Sequence, residues 1–101
     1  MNPLMEQLNL ISRALEYSPK IVLSKITINR TKFLIEIERK PGITSKEIAT
    51  KFNMPFRYVQ GVMIDMRDTG YITSEPLGKL GRTLKWSITS RGRQFYKLYE
   101  Q

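Results

Sequence analysis

The chain has 101 residues, 41% of them hydrophobic and 26% charged, which suits one compact domain rather than a disordered tail or two separate cores. Cysteine and histidine are absent, excluding disulfides, thiol nucleophiles, thiolate or imidazole metal sites and the common nucleophile–base pairs. Seventeen Lys and Arg against nine Asp and Glu give a net charge of +8, which points to a polyanionic partner or, more blandly, to solubility alone.

No apolar run approaches the roughly 20 residues that span a bilayer, and the N-terminus lacks the pattern of a signal peptide. A soluble intracellular protein with no membrane partner is expected. A single domain over 1–101 is expected too, with an N-terminal helix in 1–20, a core in 27–93 and a C-terminal helix in 94–101. In Pro3–Glu16, Leu4, Leu8, Ile11 and Leu15 fall on one helical stripe. The stripe is too short for a self-sufficient coiled coil, so it packs on its own domain or on the same helix of a second copy. These four residues are the candidate contacts of a homodimer. Ser18-Pro19 breaks the helix. Ile21–Ile28 is β-branched and ambiguous between strand and helix, and it is read as a short helix or irregular packing segment. Thr27 is the expected N-cap of a helix reaching Lys40, with Phe33, Leu34 and Ile37 on one face and Pro41-Gly42 ending it.

Thr44-Ser45-Lys46-Glu47 reads as a capping box, and Ile43 with Ile48 as a hydrophobic staple around it. That helix runs through Ala49 and Phe52 to Asn53, a residue that tolerates the left-handed turn. Pro55 opens a further helix with Val59, Val62, Met63 and Met66 on its buried face, closed by Gly70. Two short helices joined by a tight turn make a helix-turn-helix, although any helical hairpin shows the same signals. The period then changes. Tyr71–Ser74 is strand-like, a loop holds Pro76, Gly78 and Gly81, and Leu84, Trp86 and Ile88 alternate with Lys85 and Ser87 as the second strand of a hairpin. From Pro76 to Tyr99 there is no acid, so this segment is expected to be uniformly positive. A last helix from about Ser90 carries Phe95, Leu98 and Tyr99, either to cover the hairpin or to extend a dimer interface. The fold class is mainly α with a small β-hairpin.

In their order and spacing these elements resemble the winged helix-turn-helix proteins, and specifically the MarR-like transcriptional regulators, over Ile26–Phe95. Thr27 and Leu34 match the family's capping threonine and following leucine. Pro41–Thr44 and Glu47–Ala49 look like the start of its second helix, and Phe52–Ile72 fits its turn and recognition helix without a gap. Ile88-Thr89 and Gly92 look like the end of the wing. Arg82 matches by spacing an arginine that enters the minor groove, with Leu80 where the family often has an aspartate. The family's long C-terminal dimerisation helices have no counterpart after Phe95, so a dimer is expected to be built differently. The resemblance implies sequence-specific binding of double-stranded DNA and transcription regulation.

On the helix from Pro55 to Asp68, Phe56, Arg57, Tyr58, Gln60, Gly61 and Ile64 lie opposite the buried face. They are the candidate base contacts: Arg57 for guanine, Gln60 for adenine and Phe56 for thymine methyls. Plain core packing for the aromatics and solvation for Arg57 are the alternatives. Gly61 suits a close approach of DNA or of another helix. Thr44, Ser45, Lys46, Arg67, Lys79, Arg82, Lys85 and Arg91 are the candidate backbone and wing contacts. Trp86 is read as the hairpin's core anchor in preference to a stacking platform. No cofactor or metal is expected, and a small-molecule effector stays open. The competing reading is a winged-helix protein-interaction module of a transcription or replication assembly. RNA binding lacks the usual aromatic platform. An enzyme is the least supported class, because no catalytic carboxylate cluster appears and the loop at 78–81 lacks a phosphate-loop pattern.

Overall fold

The computed structural model describes residues 24–79 and 81–100. The expected N-terminal helix with Leu4, Leu8, Ile11 and Leu15 lies outside them, as does Leu80.

Helix α1, Lys25–Arg39, begins three residues earlier than the Thr27 cap would allow. Ser24 takes that role, its side chain accepting from the Thr27 N–H at 3.2 Å. Serine caps a helix at least as well as threonine, and here Ser24 is the cap because the chain from Lys25 is already helical. The ambiguous stretch through Ile28 therefore resolves, from Lys25 on, as the first turn of α1. Phe33, Leu34 and Ile37 are fully buried on its inner face.

Strand β1, Ile43–Thr44, leads directly into α2, Ser45–Phe52. The capping box is complete: the Glu47 N–H donates to Thr44 Oγ1 at 3.2 Å, and Glu47 Oε1 accepts from the Thr44 N–H at 3.2 Å. The Lys40 ammonium donates to the other carboxylate oxygen. This bond, with those from Thr44, holds the Glu47 carboxyl below its usual range. Ile43 and Ile48 are both buried, as a staple requires. Asn53 sits in the left-handed region at φ 51° and ψ 52°, which an asparagine adopts more readily than most residues. Glu36 on α1 is nearly buried and paired with Lys51 Nζ at 2.7 Å, so α2 is tied at its end to α1 and at its start to Lys40, the residue that caps α1.

Helix α3, Phe56–Asp68, starts from Pro55 as N-cap. It sinks Val59, Val62, Met63 and Met66 into the core. Gly70 follows at φ 85°, the conformation that stops a helix at its C′ position. Strands β2, Ile72–Leu77, and β3, Thr83–Ile88, form the hairpin, and β1 pairs with the outer side of β3 to give the order β1-β3-β2. Strand β2 is longer than its sequence suggests, for it includes Pro76. Proline is admissible there because β2 is an edge strand and needs no N–H on that side. Helix α4, Ser90–Tyr99, is capped by Thr89. It packs against α1 and stacks Phe95 4.8 Å from the Tyr71 ring, while Leu98 is left 77% exposed. The whole is a winged helix: three helices with a helix-turn-helix at α2–α3, a small antiparallel sheet and a closing helix.

Candidate nucleic-acid interface

With one face of α3 committed to the core, geometry turns the opposite face outward. Phe56, Arg57, Tyr58 and Gly61 are exposed there, and Gln60 and Ile64 are half-buried. The structure divides these six. Phe56 and Gln60, one turn apart, line a groove whose other walls are Thr44–Glu47 at the start of α2 and Leu77, Arg82, Thr83 and Leu84 of the hairpin. Arg57, next to Phe56 in the chain, is exposed. Tyr58 turns the other way, its hydroxyl accepting from Asn29 Nδ2 at 2.6 Å, so that α1 holds the first turn of α3 in place. Asn29 itself is buried, and no sequence pattern linked these two residues across 29 positions.

Gly61 has no packing reason within the described residues, since an added Cβ would meet no atom within 4 Å. The expected close approach of another helix is thus not found there. A glycine at such a site still costs a helix about 0.8–1.0 kcal/mol relative to alanine.

The eight backbone candidates also separate. The Thr44 hydroxyl is spent on the capping box, and the nearly buried Ser45 hydroxyl accepts from Trp86 Nε1 at 2.9 Å. Neither side chain is therefore free to meet a phosphate, although the first-turn amides of α2 lack intrahelical partners and point out of the helix. Trp86 has no exposed surface and is a core anchor. Arg67 is likewise engaged: it donates to Ser74 Oγ at 3.3 Å and lies over the Trp86 ring at 6.0 Å, bracing α3 against the hairpin. Lys85 stands opposite Glu75 in the strand register, Nζ to Oε2 3.5 Å. The hairpin is therefore not uniformly positive. Its acid-free run begins just after Glu75, and the strand pairing brings that glutamate to the lysine. The charge survives at the tip, in Lys79 and Arg82. Arg91 is exposed but rests over the Tyr71 ring at 5.4 Å. Among the described residues, Lys46, Arg57, Lys79, Arg82 and Arg91 take part in no ion pair.

The groove is thus flanked by cations without partners, while its single acid, Glu47, is neutralised by Lys40. Asp65 and Asp68 sit toward the far end of α3. The helix dipole adds positive potential at the near end. An anion approaching α3 is drawn to its first turns.

This arrangement of α2, α3 and hairpin is a winged helix-turn-helix, and solved structures share its fold. A structure of MarR is 24% identical with a TM-score of 0.63, covering 96% of this chain and 67% of the other. The PcaV transcriptional regulator from Streptomyces coelicolor, bound to its natural ligand, is 13% identical with a TM-score of 0.68, covering 96% and 69%. A MepR mutant from S. aureus bound to an oligodeoxyribonucleotide is 12% identical with a TM-score of 0.62, covering 96% and 73%. The chain has the winged-helix fold of the MarR-type transcription regulators. No protein-family model matches it, and no curated protein matches it.

Proposed function

We propose that the chain is a sequence-specific double-stranded DNA-binding protein, a transcription regulator that inserts α3 into the major groove. The observation that carries the proposal is the exposed first-turn face of α3, opening into a groove with Lys46 and Arg82 on its walls and no unpaired acid. The MepR mutant similar to it in fold is bound to an oligodeoxyribonucleotide, which supports the same reading.

In this reading Arg57 donates two hydrogen bonds to guanine and Gln60 pairs with adenine, with Phe56 and Ile64 making apolar contact. Gly61 leaves bare backbone where a base or sugar edge can come close. Tyr58 positions α3 through Asn29. Lys46, Lys79 and Arg91 meet phosphates, and Arg82 at the wing tip enters the minor groove or grips the backbone. The chain acts as a homodimer through the Leu4, Leu8, Ile11 and Leu15 stripe, so two copies of α3 meet half-sites about one helical turn apart.

Base and phosphate contacts fail differently on mutation. Arg57→Ala is expected to weaken binding to a selected duplex by about 1–3 kcal/mol and to relax preference at one base pair. Lys79→Ala is expected to weaken binding to every sequence alike and to reduce the salt slope by about one unit. Fluorescence titration of both variants on selected and random duplexes separates the two behaviours. If Arg57→Ala lost affinity equally on both duplexes, the placement of α3 in the groove would be wrong.

A further inference from the structure

We propose that the groove between the first turn of α3 and the hairpin is a seat for the 5-methyl group of thymine, a proposal that rests on the DNA-binding reading above. Phe56 is 51% exposed and Leu77 52% exposed, on elements that face each other, and half-buried Leu84 lies beside them in the same groove. About half of each large side chain is left unused by the core. Grouped apolar surface of this kind with a polar rim marks a recognition site.

Charge narrows the occupant. Lys46 and Arg82 share the groove with these apolar groups, so what enters is anionic as a whole yet apolar where it touches Phe56. Duplex DNA meets both conditions at one base, because thymine alone among the four carries a methyl group on the major-groove edge. Gln60, four residues after Phe56, lines the groove too, and its amide matches the N6 and N7 edge of adenine. Four residues rise about 6 Å along the helix and a base-pair step about 3.4 Å, so the two side chains address pairs within about two steps of each other. The face reads an A·T-rich step: adenine through Gln60, and the thymine methyl through Phe56 and Leu77.

The test uses the full chain and random duplexes that it has itself selected, amplified once with dTTP and once with dUTP. The two pools share sequence and charge and differ only in the methyl group. The uracil pool is expected to bind about fourfold more weakly for each methyl seated, about fifteenfold for two, with parallel salt slopes. Phe56→Ala, at an exposed position that leaves the core intact, is expected to bind both pools equally. Equal binding of the two pools by the unmutated chain, or a preference for thymine that persists in Phe56→Ala, would overturn the methyl seat and leave DNA binding standing. Failure to bind either pool would remove the DNA-binding reading itself, and the seat with it.

Discussion

Replacing Trp86 with alanine is expected to destabilise the fold by about 3–5 kcal/mol, the usual range for truncating a fully buried aromatic. Trp86 has no exposed surface and sits where three parts of the structure meet. Its main chain pairs with β1 on one side and β2 on the other, its Nε1 donates to Ser45 at the start of α2, and Arg67 of α3 lies over its ring. Truncation therefore opens a cavity, leaves the buried Ser45 hydroxyl without its donor, and frees the brace between α3 and the wing. An orphaned buried hydroxyl adds about 1–3 kcal/mol of its own. Small domains are stable by only about 5–15 kcal/mol, so thermal unfolding followed by circular dichroism is expected to show either a fall of more than about 12 °C or no cooperative transition. A fall of a few degrees would mean that Trp86 does not join the wing to the helix-turn-helix.

Gly92→Ala is expected to be nearly as damaging, against the trend for glycines in helices. Alanine normally stabilises a helix interior by about 0.8–1.0 kcal/mol over glycine. At Gly92 an added Cβ would fall 2.2 Å from the Tyr71 carbonyl oxygen and 2.8 Å from Ile88 Cγ1. The carbonyl cannot easily retreat, because it accepts from both the Thr89 N–H at 3.1 Å and the Thr89 hydroxyl at 3.0 Å. Overpacking against fixed backbone stands at or above the top of the usual 1–3 kcal/mol range, so the clash outweighs the propensity gain. A net loss of about 2 kcal/mol or more is expected, about 8–16 °C in melting temperature. Gly61→Ala serves as the control: with open space around it, the same change is expected to raise stability. If Gly92→Ala melted at the temperature of the unmutated chain, the packing of α4 on the hairpin would be wrong.

The two glycines show what the sequence could convey. Features set by a few adjacent residues were legible: the capping box at Thr44–Glu47, the left-handed Asn53, the closing Gly70, and the inward face of α3 at Val59, Val62, Met63 and Met66. Each is fixed by local chemistry or helical period. Contacts between residues far apart in the chain were not. Ser45 reads as a phosphate ligand until Trp86, 41 positions later, takes its hydroxyl. Lys85 reads as a free cation until strand register places Glu75 opposite. Arg67 belongs to the same class. Strand β1 escaped notice because two residues show no period, and its partner β3 lies about forty residues on. In the candidate interface, the exposure of Phe56 and Arg57 followed from the helical wheel. Their separation from Tyr58 did not, because it depends on a hydrogen bond from Asn29.

On the proposed reading, this chain binds duplex DNA through α3 and the wing tip. Titration of the unmutated chain against a random-sequence duplex over a range of salt concentrations tests it most directly. Lys46, Lys79, Arg82 and Arg91 are exposed and without ion-pair partners among the described residues. With about 0.9 of slope per phosphate neutralised, a plot of log affinity against log salt is expected to fall with a slope of roughly −3 to −4 per chain. No binding, or an affinity indifferent to salt, would contradict the account and leave the positive face to a protein partner.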